Sequence, residues 1–219
     1  SEGSNVAAMV GASDPDLAYI VAWAGPAVTG KEVIILQSGL QMAQAGGAPE
    51  DVQRYRDELQ RAIQYAVSGD EEGLRIYLDN VIRAAYVQLP EEQQATLGPM
   101  EVAIAAQVEA QIESLTAPWM MAFLTYDPAE DWAQVTAPVL AFYGGLDTQV
   151  DASQNIAPLR MALAENPDVT IETLPTAKHL FVEAQTGAVS EYSSLQPQLL
   201  PEFLDMLTAW LLEHATTAE

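Results

Sequence analysis

The 219-residue sequence predicts an α/β protein: about three parallel strands with crossover helices, interrupted by an all-helical insertion. Three observations carry that expectation. Two apolar runs of strand length, LAYIVAWAG (17–25) and APVLAFYGGLD (137–147), are continuous rather than alternating, as strands covered on both faces are. Between them, from Gly30 to about Tyr126, apolar residues recur at threes and fours. After the second run come a helix and a third strand, the order that a parallel crossover requires.

Residues 1–12 read as a helix of small residues, stopped by Ser13, Asp14 and Pro15. The first strand follows at 17–25. In the helical block, Val52, Tyr55, Leu59, Ile63 and Ala66 share one face, as do Leu74, Leu78, Val81 and Ala85, then Ile104, Val108, Ile112 and Leu115. Gly46-Gly47-Ala48-Pro49, Ser68-Gly69-Asp70 and Leu97-Gly98-Pro99 punctuate it, which gives four or five helices. Asp127-Pro128 reads as a turn. The second strand is entered through Pro138 and left through Gly144-Gly145. Asp151 is placed to cap a helix over 152–165, Val169–Leu174 forms the third strand with alternating burial, and Glu202–His214 the last, amphipathic helix. The expected division is therefore a sheet domain of 1–29 and 126–219, with an insertion of 30–125.

Charge is the strongest compositional signal: 31 acids stand against 8 bases, a formal net of −23. Nucleic acid and anionic membranes need a basic footprint, so neither is an expected partner. Such an acidic surface with only two lysines, Lys31 and Lys178, would suit a salt-rich milieu, where screening relieves self-repulsion; an ordinary acidic protein is the alternative. No apolar run is long enough for a membrane span, and no cationic, apolar leader is visible. Localisation is otherwise open. Six of the eight bases fall between residues 30 and 90, but Asp57/Arg61, Glu71/Arg75 and Asp79/Arg83 have i,i+4 spacing with the acid first, which favours solvated helix pairs over a substrate-attracting patch. With no cysteine, no HExxH and no Gly-rich phosphate loop, no metal or organic cofactor is expected.

The chemistry-bearing residues are few. Of the two histidines, His214 lies in the terminal LLEHATTAE, whereas His179, in LPTAKHLF, follows the third strand. Loops at the carboxyl ends of parallel strands face the ligand crevice of an open sheet. Asp147 ends VLAFYGGLD at the carboxyl end of the second strand, so it and His179 are expected in neighbouring loops. Ser1-Glu2-Gly3 followed at once by a helix matches the second half of a nucleophile elbow, G-x-S-x-G. The order Ser…Asp…His completes the pattern.

On these residues the chain resembles α/β-hydrolase-fold serine hydrolases with a G-H-S-E-G-G elbow, esterase-like relatives of the dienelactone hydrolases and acyl-peptidases. PVLAFYGGLDTQV and KHLF carry the resemblance most specifically, which covers residues 1–25 and about 115–214. It implies the C-terminal part of such a sheet, with Ser1 as nucleophile, Asp147 as triad acid, His179 as base and the Glu2 amide in the oxyanion hole. It implies also that the helical block is a lid over an acyl pocket, with Trp119, Met120 and Phe123 as candidate lining; core packing is their other role. The implied substrate is a small carboxylic ester, with amides as runner-up. Ser4 stands where the family tends to have the last elbow glycine, and Lys178 where it has asparagine before the histidine.

In the family about five strands precede the nucleophile, so the remaining part is expected from a separate polypeptide, or the bare first-strand edge self-associates. Two other readings stay open. The chain could be a non-catalytic binding module, or Ser1 could be an N-terminal nucleophile with its own α-amine as base, as in some processed amidohydrolases.

Overall fold

A computed structural model describes residues 1–215 and divides into two units, each with its own core: 1–49 with 127–215, and 50–126. The division falls later than the helical spacing alone suggests. Helix α2 (Gly30–Gln44) groups with the sheet, and its Val33 is buried in the sheet unit's core.

The sheet unit opens with α1 (Gly3–Ser13) and holds three parallel strands in the order β1 (Ile20–Trp23), β2 (Val139–Gly144), β3 (Val169–Leu174). Ile20 pairs with Val139 and Val139 with Val169, so the strands run in step. All six residues of β2 are buried, as its unbroken apolar run requires of a central parallel strand. The edge strand β3 is different. Its residues are mostly half-buried rather than alternating, as it has a strand neighbour on one side only. A further short helix, α8 (Pro128–Trp132), stands where the sequence suggested only a turn: Asp127 caps it by accepting from Ala129 N–H at 3.0 Å, and Trp132 buries its ring. The β2–β3 crossover is α9 (Ala152–Ala162), capped as expected by Asp151, which accepts from Gln154 N–H at 2.9 Å. Asn155, fully buried on α9, accepts from Ala27 N–H at 2.8 Å and so ties the turn after β1 to this helix. The chain closes on α10 (Pro201–Ala215).

The helical unit contains α3 (Pro49–Ser68), α4 (Glu71–Tyr86), α5 (Glu91–Leu97), α6 (Met100–Thr116) and α7 (Pro118–Thr125). With α2 the block from Gly30 to Tyr126 has six helices, more than the four or five its punctuation suggested. Pro90, Pro99 and Pro118 start helices that periodicity alone runs together. Leu74, Leu78, Ile104, Val108 and Ile112 form the core. Arg75 and Arg83 do more than pair along α4. Arg75 meets Glu71 at 3.4 Å and also Glu109 of α6, and Arg83 meets Asp79 at 3.1 Å and Glu101 of α6 at 2.6 Å. Asp57 instead accepts from Gln53 at 2.8 Å. A cavity of about 250 Å³ remains between α3, α4 and α6, lined chiefly by Tyr55, Leu59, Tyr77, Val81 and Leu115.

Candidate active site at the strand ends

The carboxyl ends of β2 and β3 bring Asp147 and His179 together, and Ser1 lies beside the carboxyl end of β1. Ser1 sits just before α1, and its nitrogen donates to the Trp23 carbonyl at 2.6 Å, where β1 ends. Burial lowers the Ser1 ammonium below its ordinary value, and the Asp147 carboxylate opposes that shift through its charge. Glu2 stands at the amino end of α1, where backbone N–H groups lie at the positive end of the helix. Ser4, in the place of the elbow's last glycine, is buried against Gly25, whose hydrogen leaves the room that a Cβ would take from the Ser4 hydroxyl.

Asp147 follows a close-packed pair of glycines at the end of β2. A Cβ on Gly144 would lie 2.5 Å from the Ala177 carbonyl oxygen, and one on Gly145 would lie 2.6 Å from that of Pro175. The two glycines thus let the acid loop lie directly on the loop that carries the histidine, and Leu146 N–H donates to the Ala177 carbonyl at 2.9 Å across the join. The Asp147 side chain is wholly buried. Its Oδ1 accepts from the N–H groups of Gln149 at 2.8 Å and Val150 at 3.1 Å, while Oδ2 lies 2.8 Å from His179 Nδ1.

His179 occupies a narrow turn in which Phe181 N–H donates to the Lys178 carbonyl at 2.9 Å. Phe181 closes the turn with a φ of 54°, a left-handed conformation rare for a bulky residue. Its ring holds it there: Phe181 is buried, stacks on Phe203 at 4.7 Å and meets Phe142 edge-on at 6.2 Å. His214, by contrast, stacks on Trp210 and faces Asp168, on the last turn of α10.

The pocket residues suggested by sequence belong to the helical unit. Trp119, Met120 and Phe123 lie on α7 in the helical unit, with Trp119 stacked on Phe123 at 5.8 Å and largely exposed. Sequence reasoning also missed Gln149, Glu191 and Tyr192. The latter two sit on a 3-10 turn (Val189–Ser193) in a stretch with no periodicity to mark it. Gln149 Nε2 donates to the Tyr192 hydroxyl at 3.0 Å. Among the described residues no group of three or more His, Asp and Glu side chains could hold a metal ion, and no helix is long and apolar enough to cross a membrane.

No protein-family model, curated protein or solved structure matches the chain.

Proposed function

We propose that the chain carries a serine hydrolase centre of the α/β-hydrolase kind, with Ser1 as nucleophile, His179 as base and Asp147 as acid. One observation carries the reading: His179 Nδ1 lies 2.8 Å from a fully buried carboxylate whose other oxygen is held by two backbone donors. A carboxylate so held accepts the Nδ1 proton, which fixes the imidazole tautomer and leaves the Nε2 lone pair as a base.

In the reaction, Nε2 takes the Ser1 hydroxyl proton as Oγ bonds to the acyl carbon, and the Glu2 N–H donates to the oxyanion that forms. The imidazolium then gives its proton to the leaving alcohol as the C–O bond breaks, leaving acyl-Ser1. Water repeats the sequence: its proton goes to Nε2, its oxygen bonds to the acyl carbon, and Ser1 departs with the proton as the acid is released. The substrate proposed is a small carboxylic ester, with an amide as second choice. In this reading the strands are the C-terminal part of a hydrolase sheet and the helical unit is its lid. The outer edge of β1 would take further strands from another polypeptide or a second copy.

The test is intact mass after treatment with a fluorophosphonate, on wild type, Ser1→Ala and His179→Ala. A single adduct on wild type that both substitutions abolish is the expected result. An adduct that survives His179→Ala transfers the base to the Ser1 amine. No adduct on folded wild type overturns the reading in favour of a binding module.

A further inference from the structure

Lys178 is 2% exposed, although it lies two residues before the exposed Leu180. Taking an ammonium out of water is costly unless the fold surrounds it with compensating groups. Here it does. Lys178 Nζ donates to the Ala188 carbonyl and stands 3.6 Å over the centre of the Tyr192 ring, whose negative face attracts a cation.

These contacts close a ring. His179 meets Asp147 through Nδ1; Asp147 holds Gln149 through its backbone N–H; the Gln149 side chain donates to the Tyr192 hydroxyl; and Tyr192 covers the ammonium of the residue next to His179. The segment that supplies Ala188 and Tyr192 is itself pinned. The Glu191 carboxylate accepts from the N–H groups of Gln185, Thr186 and Gly187 at 2.8–3.1 Å. Gly187, at φ 74°, comes so close to the Leu146 carbonyl that a Cβ would lie 2.2 Å from its oxygen, and its own carbonyl accepts from the Thr148 hydroxyl at 3.3 Å. The strap over 185–192 therefore touches the acid loop through Gly187 and Tyr192 and the histidine loop through Lys178. Burial pushes the Lys178 ammonium below the ordinary lysine range, opposed by the charges of Glu191 and Asp147, as expected of a cation enclosed between these loops.

We propose that Lys178 is a positioning residue: its buried ammonium fastens the 185–192 strap to the histidine turn and thereby holds His179 on Asp147. That it serves catalysis rests on the hydrolase reading; that it fixes the Asp147–His179 pair does not. Methionine at 178 keeps the apolar stem and removes the charge, whereas leucine at 192 removes the ring from the half-buried end of the contact.

The experiment reads the pair without relying on turnover. In wild type at low temperature, the His179 Nδ1 proton gives a proton NMR resonance far downfield of the amides. Lys178→Met and Tyr192→Leu, folded by circular dichroism, broaden or abolish it, and the amides of Gln185, Thr186 and Gly187 exchange at least about tenfold faster as the strap opens. On an ester substrate kcat falls by about ten- to a hundredfold with KM nearly unchanged, the mark of a misplaced base. If Lys178→Met does not fold, Tyr192→Leu decides. A sharp resonance and unchanged exchange in the folded variants overturn the proposal, as does a wild type that lacks the resonance. A wild type that shows the resonance, loses it in the variants and takes no fluorophosphonate removes the hydrolase reading and leaves the fastening in place.

Discussion

The two units bury different things. In the helical unit every fully buried residue is hydrophobic, and the arginines of α4 are paired at its surface. The sheet unit buries Ser4, Asn5, Asp147, Asn155 and Lys178 as well as its aromatics, and these are all the buried polar or charged residues among those described. An apolar core asks only for volume and spacing, and tolerates exchange among residues of similar size. A buried polar group asks for particular partners at particular distances, and is costly when one is lost. The contrast places the constraint, and on our reading the chemistry, in the sheet unit.

The largest expected effect comes from exchanging one such group while keeping its shape. Asn at 147 can still accept through Oδ1 from Gln149 and Val150, but its amide nitrogen would meet His179 Nδ1 and reverse the tautomer. Asp147→Asn therefore lowers the rate of fluorophosphonate labelling at Ser1 by about 10⁴-fold with little change in the urea midpoint. Labelling that persists at the wild-type rate would make Asp147 a structural cap of the β2 loop and nothing more.

In the helical unit the comparable change should cost stability alone. Leu74 has no exposed surface at the centre of that core. Leu74→Ala should lower its stability by about 2–5 kcal/mol, read from urea unfolding, the upper end applying if the new void joins the cavity already present. The downfield His179 resonance should stay as in wild type, because the hydrogen bonds that hold the pair come from residues of the sheet unit. Its loss in a folded Leu74→Ala protein would break the contrast between the units.

Legibility in the sequence follows the same line. Strand β2 and the cap of α9 were readable because a continuous apolar run, Pro138, Gly144-Gly145 and Asp151 act locally. The meeting of Asp147 with His179 was readable because parallel topology sends successive strand ends to one edge. Helix α8 was not: its signal is one capped turn whose stability comes from burying Trp132. The burial of Lys178 was hidden too. A lysine beside a histidine reads as a solvated pair, and what buries it lies 10 and 14 residues away, in Ala188 and Tyr192 of an aperiodic strap.

The smallest expected effect belongs to the charges of the helical unit. Arg83 meets Asp79 on its own helix and Glu101 on α6, and both acids hold its guanidinium more firmly protonated than usual. All three side chains are at least a third exposed, so solvent screens the pairing and little net stability follows from it. What Arg83 does supply is one positive charge to a chain of net −23. Arg83→Gln should therefore lower the urea midpoint slightly at low ionic strength and not at all near 1 M salt, where the Debye length has shrunk to about 3 Å. A deficit that persists at high salt would mean that the arginine stem packs between α4 and α6 as part of their core, and that the helical unit depends on particular polar contacts as the sheet unit does.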